Sequence, residues 1–238
     1  MKSAWILTGD GINCEEESAE ACRRAGFTTE IIHLSELVSQ PRDLAQCSLL
    51  VLPGGFSFGD ELGSGRVLAL KIRYELGWNL TQFVDGGGLV LGICNGFQTL
   101  VALGAFGTGV ALASNESGRF LNEWVKLKVD PAMKTSPFLR DIDSIELPIR
   151  HGEGRVLYGD GTAPLRAAMT YVTTPNGSHA GTAGLIDKTG RIFGLMPHPE
   201  GYLRASQHPG SFRTPGPAHA AGDGLKIFKN AFHSARSL

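Results

Sequence analysis

Gly88-Leu89-Val90-Leu91-Gly92-Ile93-Cys94-Asn95-Gly96-Phe97-Gln98 passes from an apolar strand pattern into a helical one through Gly-x-Cys-x-Gly. A sharp strand-to-helix turn of this kind lifts one reactive side chain clear of the backbone, and glycines two residues to either side let strand and helix pack closely. The turn also sets the sulfur at a helix N-terminus, whose partial positive charge steadies an anionic nucleophile. A cysteine between glycines is equally at home as a small buried hydrophobe, so the chemistry of Cys94 depends on what else the chain supplies.

Outward from that stretch, short apolar runs alternate with amphipathic windows. Ser3 to Thr8, Glu30 to Leu34, Ser48 to Leu52 and Leu89 to Ile93 read as strands. Glu15 to Ala25, Val67 to Val84 (broken at Gly77) and Phe97 to Leu103 read as helices. This alternation predicts an α/β, flavodoxin-like three-layer fold with a mostly parallel central sheet. Ligand chemistry in such sheets sits at the carboxyl ends of the strands, where both Pro53-Gly54-Gly55 and Cys94 fall.

The second half reads differently. Glu123 to Val129, Ser144 to Ile149, Ala168 to Thr173, Thr182 to Ile186 and Arg191 to Met196 are strand candidates, expected to extend the sheet as additional mixed or antiparallel β-hairpin strands. Asp187-Lys188-Thr189-Gly190 is the expected turn between the last two. Ala205 to Gly222, rich in Pro, Gly, Ser and His, reads as a loop insertion before a closing helix from Asp223 to Ala235. No repeat and no boundary divides the chain, so residues 1–238 are expected to form a single domain.

Charge and composition exclude several classes. The net charge is −1, from 22 basic and 23 acidic residues without a block of either sign, so neither a nucleic-acid surface nor a basic membrane anchor is expected. No apolar run reaches the ~18 residues that span a bilayer. The first apolar run turns to Gly and Asp too early for a signal peptide, and a cytoplasmic location is expected. Cys14, Cys22, Cys47 and Cys94 contain no CxxC pair, which argues against a zinc knuckle and a disulfide framework. The first three read as buried small hydrophobes. No two histidines flank a glutamate at i and i+4, so no catalytic metal is expected.

A thiol nucleophile needs a base, and the base needs an orienting group. Met196-Pro197-His198-Pro199-Glu200 offers both. Pro199 biases His198 toward extended backbone, and side chains two residues apart on a strand share a side, ~6.5 Å apart along it. His198 is the candidate base and Glu200 its orienting carboxylate. Attack on an amide carbonyl also calls for two N–H donors at the developing oxyanion. Asn95 can give one and the glycine loop Pro53-Gly54-Gly55-Phe56-Ser57-Phe58-Gly59-Asp60 the other. No Gly-Lys-Ser/Thr follows that loop, so it is not a phosphate-binding P-loop.

GICNGFQ, PGGFSFGD, HGEGR and GLMPHPE, in this order, resemble the class I glutamine amidotransferase family, in particular the branch that serves phosphoribosylformylglycinamidine synthesis in purine biosynthesis. The resemblance implies Cys94, His198 and Glu200 as the triad, Gly55 and Asn95 as backbone oxyanion donors, and Gln98 with Asn176, Gly177 and Ser178 around a glutamine substrate. His151-Gly152-Glu153-Gly154 would face a partner. That partner would be a formylglycinamide ribotide synthetase subunit, with room for a small third subunit; it would use the ATP and magnesium, and this chain would bind no cofactor. A glutaminase serving another synthetase, or a non-catalytic module of the same fold, are the rival readings.

The chain departs from the family pattern at Gly201, where an arginine commonly follows His-Pro-Glu, at Thr174, over Leu62 to Gly65, and in the length of 205–222. Of the remaining histidines, His33 is expected in the core or at a sheet edge, and His208, His219 and His233 in solvent. His179 lies beside the expected substrate loop.

Overall fold

The apolar pattern of the first hundred residues becomes β1 (Ser3–Thr8), α1 (Glu15–Ala25), β2 (Thr28–His33), α2 (Leu34–Ser39), β3 (Leu49–Leu52), α3 (Arg66–Tyr74), α4 (Leu80–Asp85), β4 (Leu89–Ile93) and α5 (Asn95–Ala102). The structure, a computed structural model, describes residues 1–159, 167–213 and 220–237. β3 and β4 are buried at every position, as strands covered on both faces must be. α1 carries Glu15, Glu16 and Glu17 in its first turn and Arg23 and Arg24 in its last, matching the helix dipole. Leu34, expected to end a strand, instead opens α2, whose first turn is held by Ser35 N–H donating to His33 Nδ1. Six residues are too few to show a helical period.

The rest of the chain adds β5 (Val110–Ser114), β6 (Leu121–Val129), β7 (Ser144–His151), β8 (Glu153–Tyr158), β9 (Ala167–Tyr171), β10 (Thr182–Ile186), β11 (Ile192–Leu195) and α6 (Leu225–Ser234). β5 and β8, unforeseen in the sequence, pair as a separate ribbon. β5 is half-exposed and β8 opens on Glu-Gly-Arg, so neither shows a clean alternation. Asp187 makes the expected hairpin turn, its carboxylate accepting from the N–H groups of Thr189, Arg191 and Ile192.

The described residues form a nine-stranded sheet in the order β2-β1-β3-β4-β11-β10-β9-β6-β7. β2 through β11 in that order are parallel, and from β11 to β7 each neighbour is antiparallel. The parallel block reverses direction at β1, the flavodoxin-like order, with its switch point between β1 and β3. Right-handed crossovers place α1 on one face and α3 to α5 on the other; α1 packs on α6, and α3 on α5. These are the three layers the sequence predicts.

Five strand steps separate β4 from β7, about 24 Å in a flat sheet. Yet Cys94 Sγ, just past β4, lies 3.7 Å from the Arg150 carbonyl oxygen in β7. The antiparallel half therefore rolls back over the carboxyl ends of the parallel half.

The segment expected as a loop from Ala205 to Gly222 holds two 3₁₀ turns, Ala205–Gln207 and Pro209–Phe212, and Arg204 bridges to Ala221. His219 lies outside the described residues. His208 is not in solvent: it is half-buried, 4.6 Å from the Trp124 ring and 5.6 Å from that of Tyr202. His33 ends the edge strand β2, and His233 is exposed. No helix among the described residues is long and apolar enough to cross a membrane.

Candidate active site

Three neighbouring strands, β3, β4 and β11, deliver their carboxyl ends to one place. Between β4 and α5, Cys94 adopts φ 51°, ψ −105°, a left-handed conformation that a non-glycine residue holds only when its surroundings impose it. Its N–H is fixed to the Leu195 carbonyl at 2.8 Å. A methyl group at Gly96 would run into the Leu52 carbonyl, and one at Gly92 would stand 2.5 Å from Leu100 Cδ1. Both glycines of Gly-x-Cys-x-Gly are thus steric requirements of the turn. α5 begins at Asn95, so the first N–H groups after the sulfur have no partner within the helix.

His198 follows β11 with φ −105° and ψ 91°, the extended geometry Pro199 demands, and its N–H donates to Pro148 O in β7 at 2.8 Å. The carboxylate reaches the ring by a different route from the one the sequence suggests. Pro199–Gly201 is a 3₁₀ turn, not strand, and folds Glu200 back so that His198 Nδ1 donates to Glu200 Oε1 at 2.5 Å. Both side chains are buried. Burial works against a charged imidazole, but the Glu200 carboxylate and the Cys94 sulfur outweigh it, and the His198 pKa stands well above the ordinary value. The Cys14 thiol pushes in the same direction. His198 Nε2 is buried and has no hydrogen-bond partner. At the end of β3, a Cβ on Gly54 would sit 2.8 Å from His198 Cε1, so this glycine makes room for the ring.

Gly55 has φ 148°, and a Cβ there would lie 2.7 Å from the Gly11 carbonyl oxygen. Phe56 N–H donates to Gly11 O and Asn13 N–H to Gly54 O, the pattern that turns the Gly55 N–H away from Ile12. The Asn95 side chain ties this loop to the elbow. Its Oδ1 accepts from Ser57 N–H at 3.2 Å, and its Nδ2 donates to Asp60 Oδ1 at 3.0 Å and to Gln98 Oε1 at 2.9 Å. Gln98 Nε2 donates in turn to Glu153 O at 2.5 Å. Phe58, Gly59 and Asp60 are all left-handed, so the loop is held under backbone strain.

Asn176, Gly177 and Ser178 lie behind this cluster. Asn176 Nδ2 donates to Gly154 O at 2.8 Å and its Oδ1 accepts from Ser178 N–H, while Ser178 Oγ accepts from Val156 N–H. These side chains stitch His151-Gly152-Glu153-Gly154 in place. Gly177, at φ +77°, packs against Glu116. That segment is itself part of the site's wall, since Arg150 O approaches the sulfur and Glu153 O holds Gln98. His151 is buried with Nδ1 against Asn115 Oδ1 at 2.9 Å, and burial, with the charge on His198, lowers its pKa to about 4. His179 is exposed, edge-on to the Tyr158 ring. At Gly201, the Arg150 guanidinium comes within 3.6 Å of where a Cβ would stand, filling the space beside it.

Sequence reasoning missed Cys14. It caps the start of α1 at the carboxyl end of β1, and its sulfur, a His198 ring nitrogen and a Glu200 oxygen lie within 4.8 Å of one another. Its place at a strand's carboxyl end was the available signal. A cleft of about 640 Å³ between Trp78, Phe106 and Lys188 lies elsewhere and contains none of these groups.

A sulfur at a helix N-terminus, beside an imidazole whose far nitrogen is held by a carboxylate, is an arrangement for nucleophilic acyl transfer. The model of the CobB/CobQ-like glutamine amidotransferase domain family matches residues 2–233. A phosphoribosylformylglycinamidine synthase subunit PurQ from Dehalococcoides mccartyi is 42% identical, over 98% of this chain and 97% of its own length. One from Methanococcus maripaludis is 38% identical, over 95% of this chain and 94% of its own. A solved structure of PurLQS from Thermotoga maritima contains a chain that superposes with a TM-score of 0.80 at 32% identity, covering 98% of this chain and 99% of that one. A chain of this length with these relatives, and with an elbow cysteine on the flavodoxin-like sheet, belongs to the CobB/CobQ-like glutamine amidotransferases and, among them, to the family of PurQ subunits of phosphoribosylformylglycinamidine synthase.

Proposed function

We propose that this chain hydrolyses glutamine with Cys94 as nucleophile, His198 as acid and base, and Glu200 as orienting carboxylate. The observation that carries the reading is the buried His198 ring, its Nδ1 held by the Glu200 carboxylate at 2.5 Å, with Cys94 at the adjoining strand end favouring its charged form. Cys94 Sγ attacks the side-chain amide carbon of glutamine. As the C–N bond breaks, His198 protonates the departing ammonia, leaving a thioester. His198 then takes a proton from water, which hydrolyses the thioester to glutamate and frees the sulfur. The Asn95 and Gly55 N–H groups stabilise the oxyanion in both steps. Gln98, oriented by Asn95, and the Asn176–Ser178 loop behind it shape the glutamine pocket.

The ammonia goes to a formylglycinamide ribotide synthetase subunit, which uses ATP and magnesium to form phosphoribosylformylglycinamidine. The PurQ relatives and the PurLQS assembly support this partner and a small third subunit. The purine-synthesis relatives also support a cytoplasmic location, and the nine-stranded sheet, built from strands of both halves of the chain, supports one domain. Glutamate release is measured with and without the synthetase: stimulation by that partner is expected, and stimulation by a different synthetase instead would refute the assignment. A reactive glutamine analogue is expected to label Cys94 and no other cysteine.

A further inference from the structure

Cys14 has no part in that mechanism, yet it stands beside the base. Its sulfur, a nitrogen of His198 and an oxygen of Glu200 are mutually within 4.8 Å, and all three residues are buried. Two polar atoms of the group are buried without partners, His198 Nε2 and Glu200 Oε2. We propose that Cys14, His198 and Glu200 form a binding site for a soft divalent cation of the zinc type, occupied reversibly and in place of catalysis.

The donor set selects the ion. A thiolate, an imidazole and a carboxylate, with the fourth position left to water, suit a tetrahedral, thiophilic cation and not magnesium or calcium, which need several oxygen ligands. Zinc–sulfur and zinc–nitrogen bonds of roughly 2.3 and 2.0 Å put tetrahedral ligands about 3.5 Å apart. The three ligand atoms, up to 4.8 Å apart, must therefore draw in by at most about 1.3 Å. The space for this exists because residue 54 is glycine: a Cβ there would stand 3.3 Å from Cys14 Sγ and 3.4 Å from His198 Nδ1. Cys14 gives up only a long contact with Asn13 Oδ1 at 3.3 Å. A cleft of about 370 Å³ lined by Glu16, Glu17, Glu20, Arg23, Arg24 and Arg204, of mixed charge, has Glu200 at its edge and leaves a small ion a path from outside. Cys22 and Cys47 do not compete, because they sit in the core, where burial raises the Cys47 pKa to about 12.

A bound cation takes the base and its orienting carboxylate together, so occupancy and hydrolysis exclude one another. The inhibition rests on the glutaminase reading; the binding does not. Cobalt(II), titrated into the reduced full-length chain, reads the site directly. One equivalent is expected, with tetrahedral visible bands and sulfur-to-cobalt charge-transfer absorption. Cys14→Ser and Cys14→Ala are each expected to bind at least about tenfold more weakly and to lose that sulfur-to-cobalt absorption, while Cys47→Ser changes neither. No thiolate absorption in the wild type, or Cys14 variants with wild-type melting that keep wild-type affinity and absorption, overturn the proposal. Zinc is then expected to inhibit glutamate release by the complex with its synthetase, reversibly on chelation, and the Cys14 variants to need at least about tenfold more of it. A chain that binds cobalt as described but releases no glutamate leaves the site standing and removes the glutaminase reading.

Discussion

At Cys94 the backbone and the chemistry are inseparable, because the left-handed turn that exposes the sulfur also starts the helix behind it. Cys94→Ala is expected to lower glutamine turnover by at least ~10³-fold with an unchanged melting curve, since alanine occupies the same strained position. Glu200→Gln keeps the shape but removes the charge that holds the imidazole. Steady-state kinetics are expected to show a fall in kcat of roughly 10²–10⁴-fold with little change in KM. The same carboxylate gives stability a pH dependence of definite sign. His198 has a raised folded pKa, so its contribution is complete below the ordinary imidazole value of about 6.5 and is lost as pH rises through the folded value. The melting-temperature difference between wild type and Glu200→Gln is therefore expected to shrink with rising pH. Cys94, His198 and Glu200 were legible in the sequence because glycine and proline mark their local geometry. Cys14 was not, for its neighbours come from distant parts of the chain, and its place past the carboxyl end of β1 is the one local mark it carries.

The elements around the site are set by close approach. Gly96 touches the carbonyl side of β3, so Gly96→Ala is expected to cost about 3 kcal/mol by urea unfolding. Gly104→Ala, with open space around its Cβ and only its φ of +81° to strain it, is expected to cost less. The loop from Phe56 to Asp60 depends on the Asn95–Asp60 hydrogen bond. Asp60→Ala is expected to reduce kcat roughly tenfold, by misplacing the oxyanion loop, while Asp60→Asn, which still accepts, retains most activity. The parallel strands were readable because each is a continuous apolar run. α2, β5 and β8 were not, being too short or too exposed to carry a period, and the 3₁₀ turn at Glu200 was hidden because a proline before it is compatible with strand as well.

Across the whole molecule the two chain ends lock together. Lys2 Nζ donates to the Phe232 carbonyl at 2.7 Å, the Phe27 and Phe232 rings meet edge to face at 5.1 Å, and Phe228 is wholly buried in α6. Phe228→Ala is expected to cost about 3–5 kcal/mol in thermal or urea unfolding without altering the KM for glutamine. The composition foretold a sheet with a mixed second half, but not its curl, since the curl arises from contacts between β7 and the ends of β4 and β11. That rolled edge strand has a consequence for the life of the protein. A chain emerging from the ribosome with its first hundred residues in place has its sulfur but neither His198 nor Glu200 nor the roof of β7. If those groups carry the reaction, half-made or broken copies are expected to be inert toward the cell's amino-acid pool, and a truncated chain that still released ammonia would show otherwise.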